Sequence, residues 1–71
     1  MVNFTKVEKQ LLNLAIEKGV LSLQDFYLAY KSKEIIRQTI ERFKFLQLIK
    51  EDTTKIENFI IDIEKIKETL K

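Results

Sequence analysis

The sequence predicts an α+β fold, mostly helical, with a three-helix core, a two-stranded β-hairpin and a short C-terminal helix. Three observations predict it. Apolar residues recur at helical spacing over residues 4–16 and again over 35–43. Serine and aspartate stand at 22, 32 and 62, each just before a helical pattern, where a side chain can cap the first free N–H groups. The run Phe59-Ile60-Ile61 favours strand and follows a polar stretch that can turn. Residues 1–71 are expected to form one domain. A chain of that length buries only about 60% of its unfolded surface, so within these residues no second domain is expected, nor, in a monomer, a deep substrate cavity.

The first helix is expected over about residues 4–18. Phe4, Val7, Leu11, Leu14 and Ala15 share a stripe, with Leu12 and Ile16 beside it. Lys6, Lys9, Gln10, Asn13 and Glu17 face the other way. Gly19, the only glycine, stands just past the last turn, where a left-handed residue ends a helix. Val20-Leu21-Ser22 has room only for a scrap of strand.

Ser22 and Asp25 have the spacing of a capping box, and Leu21 and Phe26 that of a hydrophobic staple. A short second helix over about 23–30 follows, with Leu23, Phe26, Tyr27 and Tyr30 on one face. Ser32 caps a third helix that carries Ile35, Ile36, Thr39, Ile40 and Phe43 inward. Phe45 and Leu48 break that stripe, so the helix should end near 44–46 and residues 48–50 should be extended.

The C-terminal third has two readings. In one, residues 48–51 pair with about 56–61 across Asp52-Thr53-Thr54, and Asp62 caps a last helix over 63–70. In the other, an all-α fold, one long helix starts at Lys55 and aligns Ile56, Phe59, Ile60, Ile63, Ile66 and Leu70. The hairpin gives the extended piece at 48–51 a partner for its backbone groups.

Composition excludes more than it suggests. There is no Cys and no His, so the usual zinc and copper ligands, thiol chemistry and the common near-neutral proton carrier are all missing. No enzyme, metal site, cofactor or small-molecule ligand is expected. No apolar run exceeds five residues (26–30), so no segment is expected to span a membrane. The N-terminal residues lack the basic-then-apolar pattern of a secretory leader. A cytoplasmic location is the expectation.

The formal net charge is +2. Residues 21–50 carry six basic and three acidic side chains, whereas residues 51–71 carry four basic and six acidic ones. A polyanion should therefore meet the middle of the chain. The plainer reading is a solvated helix face.

The order helix, scrap of strand, short helix, turn, basic helix, hairpin resembles the winged helix-turn-helix family of DNA-binding domains, small stand-alone archaeal, viral or bacterial regulators among them. The likeness runs from Leu21 to Leu70. The family reads aliphatic-x3-Leu-x2-Leu-x3-Gly-Leu-Ile through its third helix and first wing strand. The segment here is Ile36-x3-Ile40-x2-Phe43-x3-Gln47-Leu48-Ile49. The tail from Phe59 to Leu70 is similar to the family's last strand, cap and terminal helix. Three features depart from it: Gln47 replaces the usual Gly, the turn at Tyr30-Lys31-Ser32 is about one residue shorter, and the wing tip 51–55 has two acids and one base.

The resemblance implies sequence-specific binding of double-stranded DNA by a transcriptional regulator, with residues 33–45 in the major groove. Arg37 and Gln38 lie near the start of that helix and suit guanine and adenine edges. Lys33 and Arg42 flank them. Ser32 sits where the family caps its recognition helix, and Lys31, Lys44 and Lys55 read as phosphate contacts. Tyr27 and Tyr30 are suited to donate to phosphates, or else form the rim of the core.

Phe45 and Leu46 are apolar where the family is usually polar. With Ile66 and Leu70 they are candidates for a homodimer seam; alternatively the terminal helix packs back on them within one chain. A second functional class is a winged-helix module that binds protein, as an adaptor or assembly subunit. The mixed-charge third helix, the acidic wing and Phe45/Leu46 point that way.

Overall fold

The computed structural model describes residues 3–71. In order the chain forms helix α1 (Lys6–Lys18), strand β1 (Leu21–Ser22), helix α2 (Leu23–Ala29), helix α3 (Lys33–Phe45), strands β2 (Ile49–Glu51) and β3 (Asn58–Ile61), and helix α4 (Ile63–Leu70). The fold is α+β and mostly helical. One long C-terminal helix is ruled out, because residues 58–61 pair as a strand on both sides.

Side-chain caps fix where the helices begin. α1 starts two residues later than the apolar stripe suggests. Phe4 lies outside it, and Thr5 is the cap: its hydroxyl accepts from Glu8 N–H at 3.1 Å, and the Glu8 carboxylate accepts from Thr5 N–H at 2.8 Å. Ser22 and Asp25 form the same reciprocal box at α2. Lys18 Nζ donates to both Asp25 oxygens at 2.9 Å, tying the end of α1 to the start of α2 across Gly19. Ser32 caps α3 through Ile35 N–H, and Asp62 caps α4 through Lys65 N–H. Each such cap contributes about 1 kcal/mol.

The sheet has three antiparallel strands in the order β1-β3-β2. The expected β2–β3 hairpin forms, and the sheet gains a third strand beside it. The scrap at Leu21–Ser22 becomes a third strand because Leu21 lies opposite Phe59 and both side chains belong to the core. β2 and β3 pair as Ile49 with Ile61, Lys50 with Ile60 and Glu51 with Phe59. The loop between them spans 52–57, and Asp52 accepts from both Thr54 N–H and the Thr54 hydroxyl. Ile56, expected in the second strand, lies in this loop instead and is 98% exposed.

The α3–β2 corner satisfies its last carbonyls with two backbone bonds. Leu48 N–H donates to Phe43 C=O at 3.0 Å and Gln47 N–H to Lys44 C=O at 2.9 Å. This is the Schellman arrangement, and it needs a left-handed residue between helix and strand. Gln47 takes that conformation, with φ 63°. Phe43 and Leu48, the two residues joined by the outer bond, are fully buried.

The core lies between the helices and the sheet. Phe26, Phe43, Leu12, Leu21, Leu48 and Ile66 are its largest fully buried side chains. Phe26 meets Phe43 at 6.1 Å and Phe59 at 5.7 Å between ring centroids, and Phe4 adds an edge contact to Phe43 at 6.1 Å. α4 closes the core against α1 through Ile66.

Two outcomes follow. A left-handed conformation costs a side-chain-bearing residue about 1–2 kcal/mol, partly offset in glycine by its freer unfolded chain. Gln47→Gly is expected to raise stability by about 0.5–1 kcal/mol, and Gly19→Ala, at φ 79°, to lower it by a similar amount; urea midpoints measure both. The second concerns Asp25. Burial alone pushes its carboxyl up, but the Ser22 N–H, the Lys18 ammonium and the Ser22 hydroxyl outweigh this and hold it below the usual carboxylate value. Its folded-state value is depressed, so its stabilisation is present above about pH 4 and is lost as pH falls through the folded-state value. Thermal melts between pH 2 and pH 6 are expected to show a shallower acid loss in Asp25→Asn than in the parent.

Candidate nucleic-acid interface

α3 is amphipathic, and its inner face is set by Ile36, Thr39 and Phe43. Thr39 is buried with its hydroxyl satisfied, donating to Ile35 C=O at 2.8 Å. Turning these residues inward turns Lys33, Glu34, Arg37, Gln38 and Glu41 to solvent. Ile35, expected on the buried face, is 46% exposed at its edge. α2 packs across α3, and the exposed Lys31 lies in the turn between them.

The eight candidate DNA contacts do not form one set. Lys31, Lys33, Arg37 and Gln38 are exposed at or near the start of α3, and Lys55 is exposed in the 52–57 loop. Ser32 is the α3 cap, so its oxygen is already engaged by Ile35 N–H. Arg37 lies 4.0 Å from Glu34, with both side chains about 70% exposed, and solvent leaves such a pair little strength. Lys44 Nζ donates to Glu51 at 2.6 Å and lies over the Phe59 ring. The Lys44 hydrogen bond and charge hold the Glu51 carboxyl below its usual value.

Arg42 is engaged within its own chain. Its guanidinium donates to both Glu8 oxygens, at 3.0 and 2.8 Å, and to Asn3 C=O, and it lies over the Phe4 ring at 5.3 Å. Glu8 is 4% exposed and is satisfied by the Thr5 N–H together with Arg42. The spacing of Thr5 and Glu8 is a capping box and was available as a signal for the carboxylate. Its pairing with a residue 34 positions away was not.

The candidate dimer seam is corrected too. Ile66 is fully buried inside its own chain and has no surface for a second copy. Leu46 and Leu70 pack on the same core. Only Phe45 stays out, at 86% exposed, because it extends the outer face of α3.

The face around α3 therefore combines cations with acids. Lys33 and Arg37 alternate with Glu34 and Glu41, and the 52–57 loop adds Lys55 beside Asp52. Asp52 is held below its usual value by hydrogen bonds from the Thr54 hydroxyl and N–H. Among the described residues no group of three or more Asp or Glu side chains is gathered to hold a metal ion, and no helix is long and apolar enough to cross a membrane. Comparisons with family models, with curated proteins and with solved structures find no match for this chain.

The two arginines should separate by experiment. Arg42→Met leaves a carboxylate buried without its charge partner. Such losses cost about 3–5 kcal/mol when both groups are buried; Arg42 is 40% exposed, so about 2–3 kcal/mol is expected. Arg37→Ala should change stability by less than about 0.5 kcal/mol. Chemical denaturation of both variants measures the difference.

Proposed function

We propose that the chain is a winged helix-turn-helix domain that binds double-stranded DNA sequence-specifically and acts in the cytoplasm as a transcriptional regulator rather than an enzyme. The observation that carries the reading is the exposed start of α3. Lys33, Arg37 and Gln38 lie there in solvent, on a helix whose opposite face is locked into the core, with Lys31 in the preceding turn. Arg37 and Gln38 are the side chains best suited to guanine and adenine edges in the major groove. Lys31, Lys33 and Lys55 take phosphates. Arg42 has no part in this reading, and Lys44 contributes only when it leaves Glu51.

A second reading has its own observation. Phe45 is almost fully exposed, and Glu34 and Glu41 sit among the cations of α3. A large exposed aromatic on a mixed-charge face suits a protein partner. In that reading the domain is an adaptor or assembly module.

Binding site selection followed by gel-shift titration tests the first reading. Arg37→Ala is expected to weaken binding to the best site by about 1–3 kcal/mol. Affinity should fall steeply between 50 and 200 mM salt, since each phosphate contact releases counterions. Absence of any shift on duplex DNA at 50 mM salt removes the DNA reading and leaves the protein-binding one.

A further inference from the structure

Lys33, Arg37 and Lys44 stand on one line along α3, four and then seven residues apart, close to one and two turns of helix. Lys33 and Arg37 are exposed. Lys44 instead reaches across to β2, where its Nζ donates to the Glu51 carboxylate at 2.6 Å. Both residues line the hollow between α3 and the hairpin. Asp52 lines it too, but its carboxylate is taken by the Thr54 N–H and hydroxyl. Glu51 is therefore the acid that engages Lys44.

α3 has two cations in close ion pairs, and burial separates them. The Glu8 side chain, paired with Arg42, is 5% exposed and also accepts from Thr5 N–H. Releasing Arg42 would leave a buried charge without its partner. The Glu51 side chain is 74% exposed, so water solvates its carboxylate as soon as Lys44 leaves, and the pair is weak. Lys44 also lies over the Phe59 ring, 5.9 Å from its centre. Part of its freedom is thus already lost before any other anion arrives, which lowers the cost of a new contact. Arg42 is locked, and Lys44 is held but releasable.

We propose that Glu51 is an internal competitor for DNA phosphate: it holds Lys44 in the free chain and yields it to a phosphate when a duplex docks on α3. The inference rests on the DNA reading and adds to it the control of one contact. On docking, the Lys44 ammonium exchanges one anion for another and the Glu51 carboxylate returns to water. Affinity is lower than an unengaged lysine at 44 would give. Phosphates are common to every duplex, so the exchange weakens all sequences alike and leaves discrimination to Arg37 and Gln38. Its effect is to reduce occupancy of non-specific DNA, which is held by phosphate contacts.

Gel-shift titration at about 50 mM salt tests this with four chains: the parent, Glu51→Gln, Lys44→Met, and both substitutions together. Each is titrated against the selected duplex and a scrambled one. Glu51→Gln is expected to tighten binding about two- to fivefold on both duplexes. With Lys44→Met in place, the same substitution is expected to gain at least about twofold less, because only the general repulsion between Glu51 and DNA is left to remove. Equal gains in the two backgrounds overturn the proposal, since Glu51 then acts through net charge alone. A gain confined to the selected duplex also overturns it, since that is the mark of a base contact. Glu51 is exposed and methionine keeps the apolar stem of Lys44, so the variants fold, and thermal melts check this. No shift from any of the four chains removes the DNA reading and this inference with it. Binding by the parent with equal gains removes the inference alone.

Discussion

The ring of Phe26 stands between those of Phe43 and Phe59, and this contact sets everything else in the domain. The three residues come from α2, α3 and β3, so one side chain holds the relative placement of two helices and the central strand. Phe4 extends the row to the segment before α1. A domain of this size has about 4–10 kcal/mol of stability in total. Loss of one buried aromatic costs about 3–5 kcal/mol, which approaches the whole. With no cysteine and no histidine, the chain has no disulfide or common metal staple to fall back on. The outward face of α3 inherits its direction from the same contact, since Phe43 and Ile36 point in and thereby turn Arg37 and Gln38 out.

Much of the fold was legible in the sequence because it rests on local chemistry. Ser22, Ser32 and Asp62 cap helices as their spacing indicates, and Gly19 ends α1 in the left-handed conformation. Leu48, which breaks the α3 stripe, does so because it is already on the far side of the corner. The start of α1 was equally local, yet the apolar stripe through Phe4 hid the Thr5 cap. What the sequence did not reveal depends on residues far apart along the chain. The pairing of β1 with β3 is one case and Arg42 with Glu8 is another. The outward Ile56 is a local difference instead: the second strand was expected from about residue 56, and it begins at Asn58, leaving Ile56 in the loop.

Charge shows the same division. The middle of the chain is basic by count, but two of its six cations serve the architecture. Arg42 secures Asn3 and Glu8 against α3, and Lys44 joins α3 to β2 through Glu51. Lys18 and Asp25 do the same for α1 and α2. What α3 offers outward is therefore more balanced than the composition of its segment. Net charge over a stretch of sequence measures how many cations exist, and the fold determines how many of them are free.

The place of β3 in the sheet bears on how the chain is made. It is the middle strand in space and the last in sequence, and both β1 and β2 pair only with it. During synthesis from the N-terminus, a chain that stops short of Asn58–Ile61 has no sheet of any kind, whichever helices have formed. It also lacks Phe59 and Ile66, and so leaves the Phe26 ring and the α1 surface uncovered. A shorter chain thus leaves the fold open: residues 58–71 supply the strand that both β1 and β2 need and the helix that covers α1.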